Sequence, residues 1–222
     1  MITSAPESRR VAALDFDDTC LRGDISESLL RLLDEASPDD LEGAYRRGVQ
    51  ADVRAAYVSL VHTLVAGRTE ATARALAHRA LVEGAERGLL AVRQSMVDLV
   101  AALHRHGWEV WIVTASPEVL VQAAVKRFDI PADRVIGMRS AMGTDGVYLP
   151  HLCAPPTMFE GKVDAIVAAA GCAPTFSAGD STSDLPLLRS ARYALLLDKG
   201  DPALRSVAER AGWWVQPAES VA

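Results

Sequence analysis

Acidic and hydroxyl side chains directly follow the first apolar run of the sequence. Residues 11–14 (VAAL) are continuously apolar, and residues 15–19 (DFDDT) come next. Sites in open α/β sheets form beyond the carboxyl ends of the strands, so Asp15 and Asp17 stand in a place suited to chemistry. Carboxylates can serve there in acid–base catalysis, nucleophilic attack or metal binding. The alternative is a solvated turn that caps a helix.

Two later apolar runs end in similar residues. Thr114 and Ala115 follow the run at 110–113 (VWIV), and a GDSTSD segment at 179–184 follows the run at 175–178 (TFSA). Each has a simpler explanation, since Thr114 could be a hydroxyl at the core edge, and the aspartates of the second segment could be turn or N-cap residues. Their occurrence together, in this order, favours one shared site.

A lysine lies between these two runs. Lys162 begins an amphipathic segment, directly after Gly161. Taken alone, it would be a surface lysine. The pair is not a P-loop, because Val163 stands where Ser or Thr is needed and Pro156 where the first glycine should be. The sequence also lacks a G-x-G-x-x-G fingerprint and a G-x-S-x-G elbow.

The elements that must hold these residues follow from hydrophobic periodicity. Apolar runs without alternation predict strands in a sheet covered on both faces. The predicted strands are residues 11–14, 110–113, 175–178, 193–197 and a short 213–215. Between them the i, i+3, i+4, i+7 spacing predicts helices, with Ser116 and Asp201 as N-caps and Gly171 and Gly212 at C-terminal ends. This alternation predicts an α/β fold with a doubly wound parallel sheet.

One long stretch contains helical patterns only. From about residue 24 to 88 the apolar stripes predict helices and no strand, which indicates an all-helical cap inserted over the strand ends. We therefore expect a core formed by residues 1–23 and 89–222 and a cap formed by residues 24–88. A smaller excursion at 135–149 contains a predicted hairpin turn, GTDG, at 143–146.

Composition limits the class of protein. The chain has 222 residues, 50% of them hydrophobic, which suits one α/β domain with a modest insertion. With a net charge of −6 and no basic tract, we expect no nucleic-acid partner. No apolar run is long enough for a membrane span, and the polar residues 1–10 do not resemble a signal peptide. Three widely spaced cysteines predict neither zinc nor disulfides, so we expect reduced thiols in a cytoplasmic protein. The oligomeric state, monomer or homodimer, stays open.

The motif order resembles that of the haloacid dehalogenase-like (HAD) superfamily. D-x-D-x-T at a strand end, then a Thr at a strand end, then Lys, then G-D-x-x-x-D are its four motifs. The chain is most similar to the phosphoserine-phosphatase-like branch, over about residues 11–215. The resemblance implies a Rossmann-like core with a helical C1-type cap, and a phosphatase that uses Mg²⁺.

The resemblance also implies residue roles. Asp15 would be the nucleophile that forms an aspartyl-phosphate, already ionised at neutral pH, and Asp17 the general acid and then base. Mg²⁺ would be bound by Asp15, the backbone carbonyl of Asp17, and Asp180. Because dehalogenases of the superfamily lack the second aspartate, Asp17 favours phosphatase or phosphomutase chemistry.

The remaining roles concern the phosphoryl group and its surroundings. Thr114, Ala115 and Lys162 would contact the phosphoryl oxygens. Asp184 would support the metal cluster and fix Lys162. Ser183 stands where phosphoserine phosphatases usually have Asn, and it can still form hydrogen bonds.

The substrate stays open at this level. Asp24 lies where the phosphoserine enzymes place an acidic residue against the substrate amine, which suggests a cationic or hydroxyl-rich leaving group; alternatively, it only N-caps the first cap helix. Phosphoserine, phosphorylcholine and a sugar phosphate are all candidates. Tyr45 and Tyr57 could line the inner face of the cap, but Tyr57 falls on an apolar stripe and could instead pack in the core. Four arginines could bind a substrate carboxylate or could instead form solvated helix surface: Arg46, Arg47, Arg54 and Arg68.

Three functions fit these motifs. The first is a phosphomonoesterase acting on a small phosphorylated metabolite. The second is a phosphotransferase or phosphomutase that passes the phosphoryl group to another acceptor through the same intermediate. The third is a non-catalytic phosphate-sensing protein, which the intact motif residues argue against.

Overall fold

A computed structural model describes residues 9–218 of the chain. Residues 1–8 and 219–222 lie outside this range, so most of the segment on which the signal-peptide expectation depends is not described. The strands are β1 (Val11–Leu14), β2 (Leu21–Arg22), β3 (Ala91–Val92), β4 (Glu109–Pro117), β5 (Val135–Met138), β6 (Ser140–Met142), β7 (Tyr148–Leu152), β8 (Phe176–Gly179), β9 (Tyr193–Asp198) and β10 (Trp214–Pro217). The helices are α1 (Ile25–Asp34), α2 (Leu41–Ala51), α3 (Val53–Val65), α4 (Glu70–Glu86), α5 (Gln94–Arg105), α6 (Glu118–Ala124), α7 (Glu160–Ala170), α8 (Leu185–Ser190) and α9 (Pro202–Ala211).

Six strands form one sheet in the order β10-β9-β8-β1-β4-β5, and all neighbouring pairs are parallel. The predicted doubly wound parallel sheet is thereby confirmed. The central strands β1 and β8 are buried on both faces, as the unalternated apolar runs indicated. Strand β1 lies between β8 and β4, so their three carboxyl ends are neighbours at one edge of the sheet.

The four helices α1–α4 are inserted between β2 and β3, which confirms the all-helical insertion. At the base of the insertion, β2 and β3 pair antiparallel in a two-residue ribbon that the sequence pattern did not reveal. The helices begin at the side chains of Asp24, Asp40, Asp52 and Thr69, each of which accepts a backbone N–H bond as an N-cap.

Apolar side chains join the insertion to the sheet. One buried cluster includes Leu14 of β1, Phe16 directly after this strand, Leu29 of α1, Ala77 of α4 and Leu120 of α6. The insertion therefore shares its core with one face of the sheet. Within residues 9–218, no helix is both long enough and apolar enough to cross a lipid bilayer.

The excursion at 135–149 was partly misjudged. The predicted hairpin is present, with β6 and β7 antiparallel and the Gly146 N–H donating to the Gly143 carbonyl at 3.0 Å. Residues 135–138, however, form β5, the edge strand of the main sheet. A Cβ at Gly137 would lie 2.7 Å from the Ser116 carbonyl oxygen, so a glycine is needed where β5 passes β4.

The helix ends were predicted correctly at three places and wrongly at one. Asp201 caps α9, and Gly171 and Gly212 end their helices in the left-handed conformation. Ser116 is not an N-cap, because β4 continues through Pro117 and α6 starts after it with no side-chain cap. The Ser116 hydroxyl instead donates a hydrogen bond to Asp17.

Candidate active site

A cavity of about 260 Å³ lies between the inserted helices and the carboxyl ends of β1, β4, β8 and β9. Its lining includes Asp15, Asp17, Asp24, Thr114, Ala115, Lys162, Asp180 and Ser183. Asp184 is buried directly behind, hydrogen-bonded to Lys162. The structure thus brings together the residues of the four motifs and Asp24.

Lys162 joins two of these carboxylates. It lies in the first turn of α7, is 1% exposed, and its Nζ atom is 2.5 Å from Asp15 Oδ1 and 2.6 Å from Asp184 Oδ1. Burial opposes the charge on this amine, but the two carboxylates outweigh it and raise the pKa of Lys162. It is therefore a buried ammonium group at the end of β1, and the surface-lysine interpretation is wrong.

Burial also affects Asp15. Desolvation raises the pKa of Asp15 well above its usual range, and the neighbouring Asp184 and Asp180 raise it further, against the effect of Lys162. The prediction of an ionised nucleophile relied on the ordinary pKa of an aspartate. In this fold the charge on Asp15 depends on nearby cations, of which Lys162 is one.

The oxygens available to a metal ion lie between Asp15 and Asp180. The Thr19 Oγ1 atom is 3.0 Å from Asp15 Oδ2 and 3.0 Å from Asp180 Oδ1, so it holds the two carboxylates side by side. Ligand atoms of Asp15, Asp180 and Asp184 all lie within 4.8 Å of one another. Asp184 is already engaged, because its Oδ1 accepts from Lys162 and its Oδ2 accepts from Ser181 Oγ at 2.8 Å.

This donor set fits a hard divalent cation. Burial and the charge of Asp184 raise the pKa of Asp180, as they do that of Asp15. A cation between Asp15 and Asp180 would offset the repulsion among these neighbouring carboxylates. Mg²⁺ suits this place because it prefers oxygen ligands. The Asp17 side chain points away to other partners, so Asp17 could contribute only its backbone carbonyl.

Asp17 is held by the start of α1 and the end of β4. Its Oδ1 accepts the Ile25 N–H at 2.8 Å, and its Oδ2 accepts the Ser116 hydroxyl at 2.7 Å. Ser26 of α1 donates in turn to Ser116 Oγ at 2.7 Å. Burial raises the pKa of Asp17 to about 6, although these hydrogen bonds work in the other direction. Such a carboxyl group can hold and release a proton near neutral pH.

Thr114 and Ser183 border the same space. Thr114 Oγ1 accepts the Ser116 N–H at 3.0 Å, and the Thr157 hydroxyl supports the strand end by donating to the Thr114 carbonyl at 2.6 Å. Ser183 lies in the segment after β8, with its hydroxyl 2.9 Å from that of Ser181.

The position of Asp24 is compatible with both of the roles considered from the sequence. Its Oδ1 accepts the N–H groups of Ser26 at 2.7 Å and Glu27 at 3.0 Å, so it N-caps α1, and it also lines the cavity. Burial raises the pKa of Asp24, and the carboxylates of Asp17 and Glu27 raise it further. Tyr57 also lines the cavity, whereas Tyr45 packs edge-on against the Tyr57 ring at 5.9 Å.

None of the four candidate arginines lines the cavity. Arg46 and Arg47 pair with acidic residues of their own helix region, and Arg54 pairs with Glu160. Arg68 donates to backbone carbonyls. Of the two possibilities considered from the sequence for these arginines, contact with a substrate carboxylate is therefore not supported by this geometry.

One cation at the site was missed from the sequence. Lys199 Nζ lies 2.6 Å from Asp180 Oδ2 and 2.9 Å from Asp18 Oδ2. Burial works against its charge, but the two carboxylates outweigh this and raise the pKa of Lys199. A signal was present, because Lys199 follows the apolar run of β9 just as Asp15 follows β1.

Comparison with known proteins places these features in context. The family model for haloacid dehalogenase-like hydrolases matches residues 12–189. No curated protein matches the sequence significantly.

Solved structures share the fold over almost the full chain. A Bordetella pertussis Tohama I protein of unknown function has a TM-score of 0.77 at 22% identity, with 95% of this chain and 99% of that chain covered. A phosphoserine phosphatase with an analogue of its phospho-aspartyl intermediate gives 0.63 at 13% identity, covering 95% and 94%. A substrate-bound phosphoserine phosphatase gives 0.63 at 14% identity, covering 96% of each chain. At these identities the likeness is one of fold.

Proposed function

Because this chain belongs to the haloacid dehalogenase-like hydrolase family, we propose that it is a Mg²⁺-dependent phosphomonoesterase acting on a small phosphorylated metabolite. The observation that carries the proposal is that Asp15, Asp17, Thr114 and Lys162 line one small cavity, together with Asp180. Phosphoserine phosphatases with the same fold have been seen with substrate and with a phospho-aspartyl analogue, which supports the assignment by analogy.

In the first step, a carboxylate oxygen of Asp15 attacks phosphorus. The new bond joins Asp15 to the phosphoryl group, and the bond from phosphorus to the leaving oxygen breaks. Asp17 gives its proton to that oxygen, so the leaving group departs as a neutral alcohol. The raised pKa of Asp17, about 6, suits this role because the group can be protonated near neutral pH.

In the second step, water attacks the aspartyl-phosphate. Asp17, now a carboxylate, takes the water proton, and the bond between Asp15 and phosphorus breaks to release inorganic phosphate. Lys162 and Thr114, with the backbone of Ala115, hold the phosphoryl oxygens through both steps. Asp184 keeps Lys162 in place, and Ser183 borders the phosphoryl site.

A bound Mg²⁺, held by Asp15, Asp180 and the Asp17 carbonyl, would supply positive charge to the phosphoryl oxygens. The pairing of Asp15 and Asp180 through Thr19 supports this ligand set. The two carboxylates then face the anionic substrate with their charge partly neutralised.

We assign the inserted residues 24–88 as a cap on a core formed by residues 1–23 and 89–222. The cavity wall contributed by the insertion includes Asp24, Val53 and Tyr57. A volume of about 260 Å³ suits a phosphoryl group with a small leaving group.

The cap-side wall favours a leaving group that carries an amine or several hydroxyls. Asp24 has an oxygen, Oδ2, that neither capping hydrogen bond uses, and Tyr57 lies in the same wall. Lys162 is assigned to the phosphoryl oxygens, and Lys199 is paired with Asp18 and Asp180, so a substrate carboxylate would find no further lysine or arginine among the described lining residues. Phosphorylated amino alcohols therefore fit the wall better than phosphoserine does.

Phosphate release from a panel of phosphorylated metabolites tests the function. We expect turnover with Mg²⁺ and none after chelation with EDTA. Asp15→Asn should lower kcat by at least about a thousand-fold, because it removes the nucleophile. Asp133→Asn, a matched change at an exposed position, should leave kcat unaltered. Wild-type turnover by Asp15→Asn would refute the proposal, and phosphorylation of an added alcohol instead of water would identify a phosphotransferase.

A further inference from the structure

Lys199 connects three of the loops that form the site. It follows β9, and its ammonium group contacts Asp180 after β8 and Asp18 after β1. Strands β9, β8 and β1 are consecutive neighbours in the sheet, so one side chain spans three adjacent strand ends. The proposed mechanism gives Lys199 no role.

The two oxygens of Asp180 have different partners. Oδ2 is 2.6 Å from Lys199 Nζ, whereas Oδ1 is 3.0 Å from Thr19 Oγ1, on the side of Asp15. A carboxylate that binds Mg²⁺ through one oxygen leaves its other oxygen for a hydrogen-bond donor, which fixes its orientation. Lys199 is the donor to Oδ2, and Oδ1 is left for the ion.

Asp18 anchors Lys199 from the other side. It adopts a positive φ of 56°, and its Oδ1 accepts the Gly23 N–H at 2.8 Å, which closes the turn after β1. Its Oδ2 then pairs with Lys199. The Asp18 carboxylate thus fixes the position of the Lys199 ammonium group, which in turn contacts Asp180.

We propose that Lys199 is a positioning residue for the metal site: it orients Asp180 so that Oδ1 faces Asp15 and the ion. The inference rests on the proposed function, because it concerns the same Mg²⁺ site. It predicts that the ammonium group strengthens Mg²⁺ binding, even though its own positive charge would, by distance alone, repel the ion.

Calorimetric titration of the metal-free, substrate-free protein with Mg²⁺ tests this role. Lys199→Met keeps most of the side-chain length without the charge, and we expect it to weaken Mg²⁺ binding by about 10-fold or more, as is common when a partner of a metal ligand is removed. Lys199→Arg keeps charge and donors and should stay within about threefold of wild type. Lys126→Met is the matched control, since Lys126 is exposed and does not line the cavity, and it should bind as wild type does.

The outcomes separate the two proposals. If wild type binds Mg²⁺ and Lys199→Met binds it equally well or more tightly, the positioning role is refuted while the proposed function stands. If wild type binds no Mg²⁺ and releases no phosphate with it, both fail. Circular dichroism of each metal-free variant shows whether it is folded. Asp18→Asn, which weakens the contact between residue 18 and Lys199, should also lower the affinity for Mg²⁺.

Discussion

Removing Lys162 provides a sharp test of the electrostatics of the site. Lys162→Met retains a long apolar side chain but leaves Asp15 and Asp184 without their shared ammonium group. Asp184 keeps three donors on Oδ2, from the Asp180 N–H and from the N–H and hydroxyl of Ser181. Asp15 keeps only the Thr19 hydroxyl among its side-chain partners. The larger penalty therefore falls on Asp15.

The expected loss of stability is large. Removing one partner of a buried ion pair lowers the free energy of unfolding by about 3–5 kcal/mol, because a charge stays buried and unpaired. For a chain of this size, 1 kcal/mol corresponds to about 2–4 °C, so the melting temperature should fall by roughly 6–20 °C. Thermal and urea unfolding at pH 7 with EDTA present measure this loss. Lys126→Met should change stability by less than about 0.5 kcal/mol, as an exposed position does.

The pH dependence of this loss has a definite sign. The pKa of Lys162 is raised above its ordinary 10.5, so its contribution is present below that pH. The pKa of Asp184 is lowered from its ordinary 3.8, because Lys162 and hydrogen bonds outweigh burial, so its contribution is lost only in acid. In Lys162→Met, Asp15 can accept a proton as the pH falls, which relieves the buried charge. The difference in stability between Lys162→Met and wild type should therefore narrow as the pH falls.

Two results would refute this reasoning. One is a Lys162→Met protein within about 1 kcal/mol of wild type at pH 7, since a buried pair should matter more. The other is a loss of stability that does not change with pH. The double variant with Asp15→Asn distinguishes the cause, because removing the stranded charge should recover part of the lost stability.

Two more predictions concern the proton donor Asp17 and the contact of Asp24 with the leaving group. Ser116→Ala removes a hydrogen bond that lowers the pKa of Asp17, so the limb of the pH–rate profile governed by Asp17 should move to higher pH by about 0.5–1 unit. Ser190→Ala, whose hydroxyl bonds to Leu187, should not move it, and an unmoved limb in Ser116→Ala would contradict the assignment. Asp24→Asn keeps an N-cap oxygen but loses the charge, so it should raise KM about 10-fold or more for phosphorylated amino alcohols and not for a neutral sugar phosphate. If Asp24→Asn changed KM by the same factor for both kinds of substrate, or for neither, contact between Asp24 and an amine would be excluded.

Most of the site was predictable because parallel strands share one edge. Asp15, Thr114 and Asp180 follow apolar runs, and whatever the order of the strands, their carboxyl ends meet at the same edge of the sheet. Lys162 was placed by the order of the motifs. The sheet itself followed from the apolar runs, apart from the edge strand β5, whose four residues include a glycine and resemble a loop.

The missed features depend on contacts between distant parts of the chain. Ser116 precedes a proline, which is the local pattern of an N-cap, and only the fold shows that its hydroxyl reaches Asp17. Lys199 stands between Asp198 and Gly200, which resembles a surface turn until β9 is known to lie beside β8. The two-residue strands β2 and β3 are too short for a periodic signal.

Hydrogen bonds from α1 to Asp17 and Ser116 link the pKa of Asp17 to the position of α1 over the cavity. The packing that covers the cavity also supplies the desolvation that raises the pKa of Asp17 to about 6. If α1 moved away, water would reach this carboxyl group and its pKa would fall towards that of an ordinary aspartate. In the proposed mechanism, Asp17 would then be protonated for the leaving group only while α1 covers the cavity, and the open site would be less reactive towards other phosphates in solution.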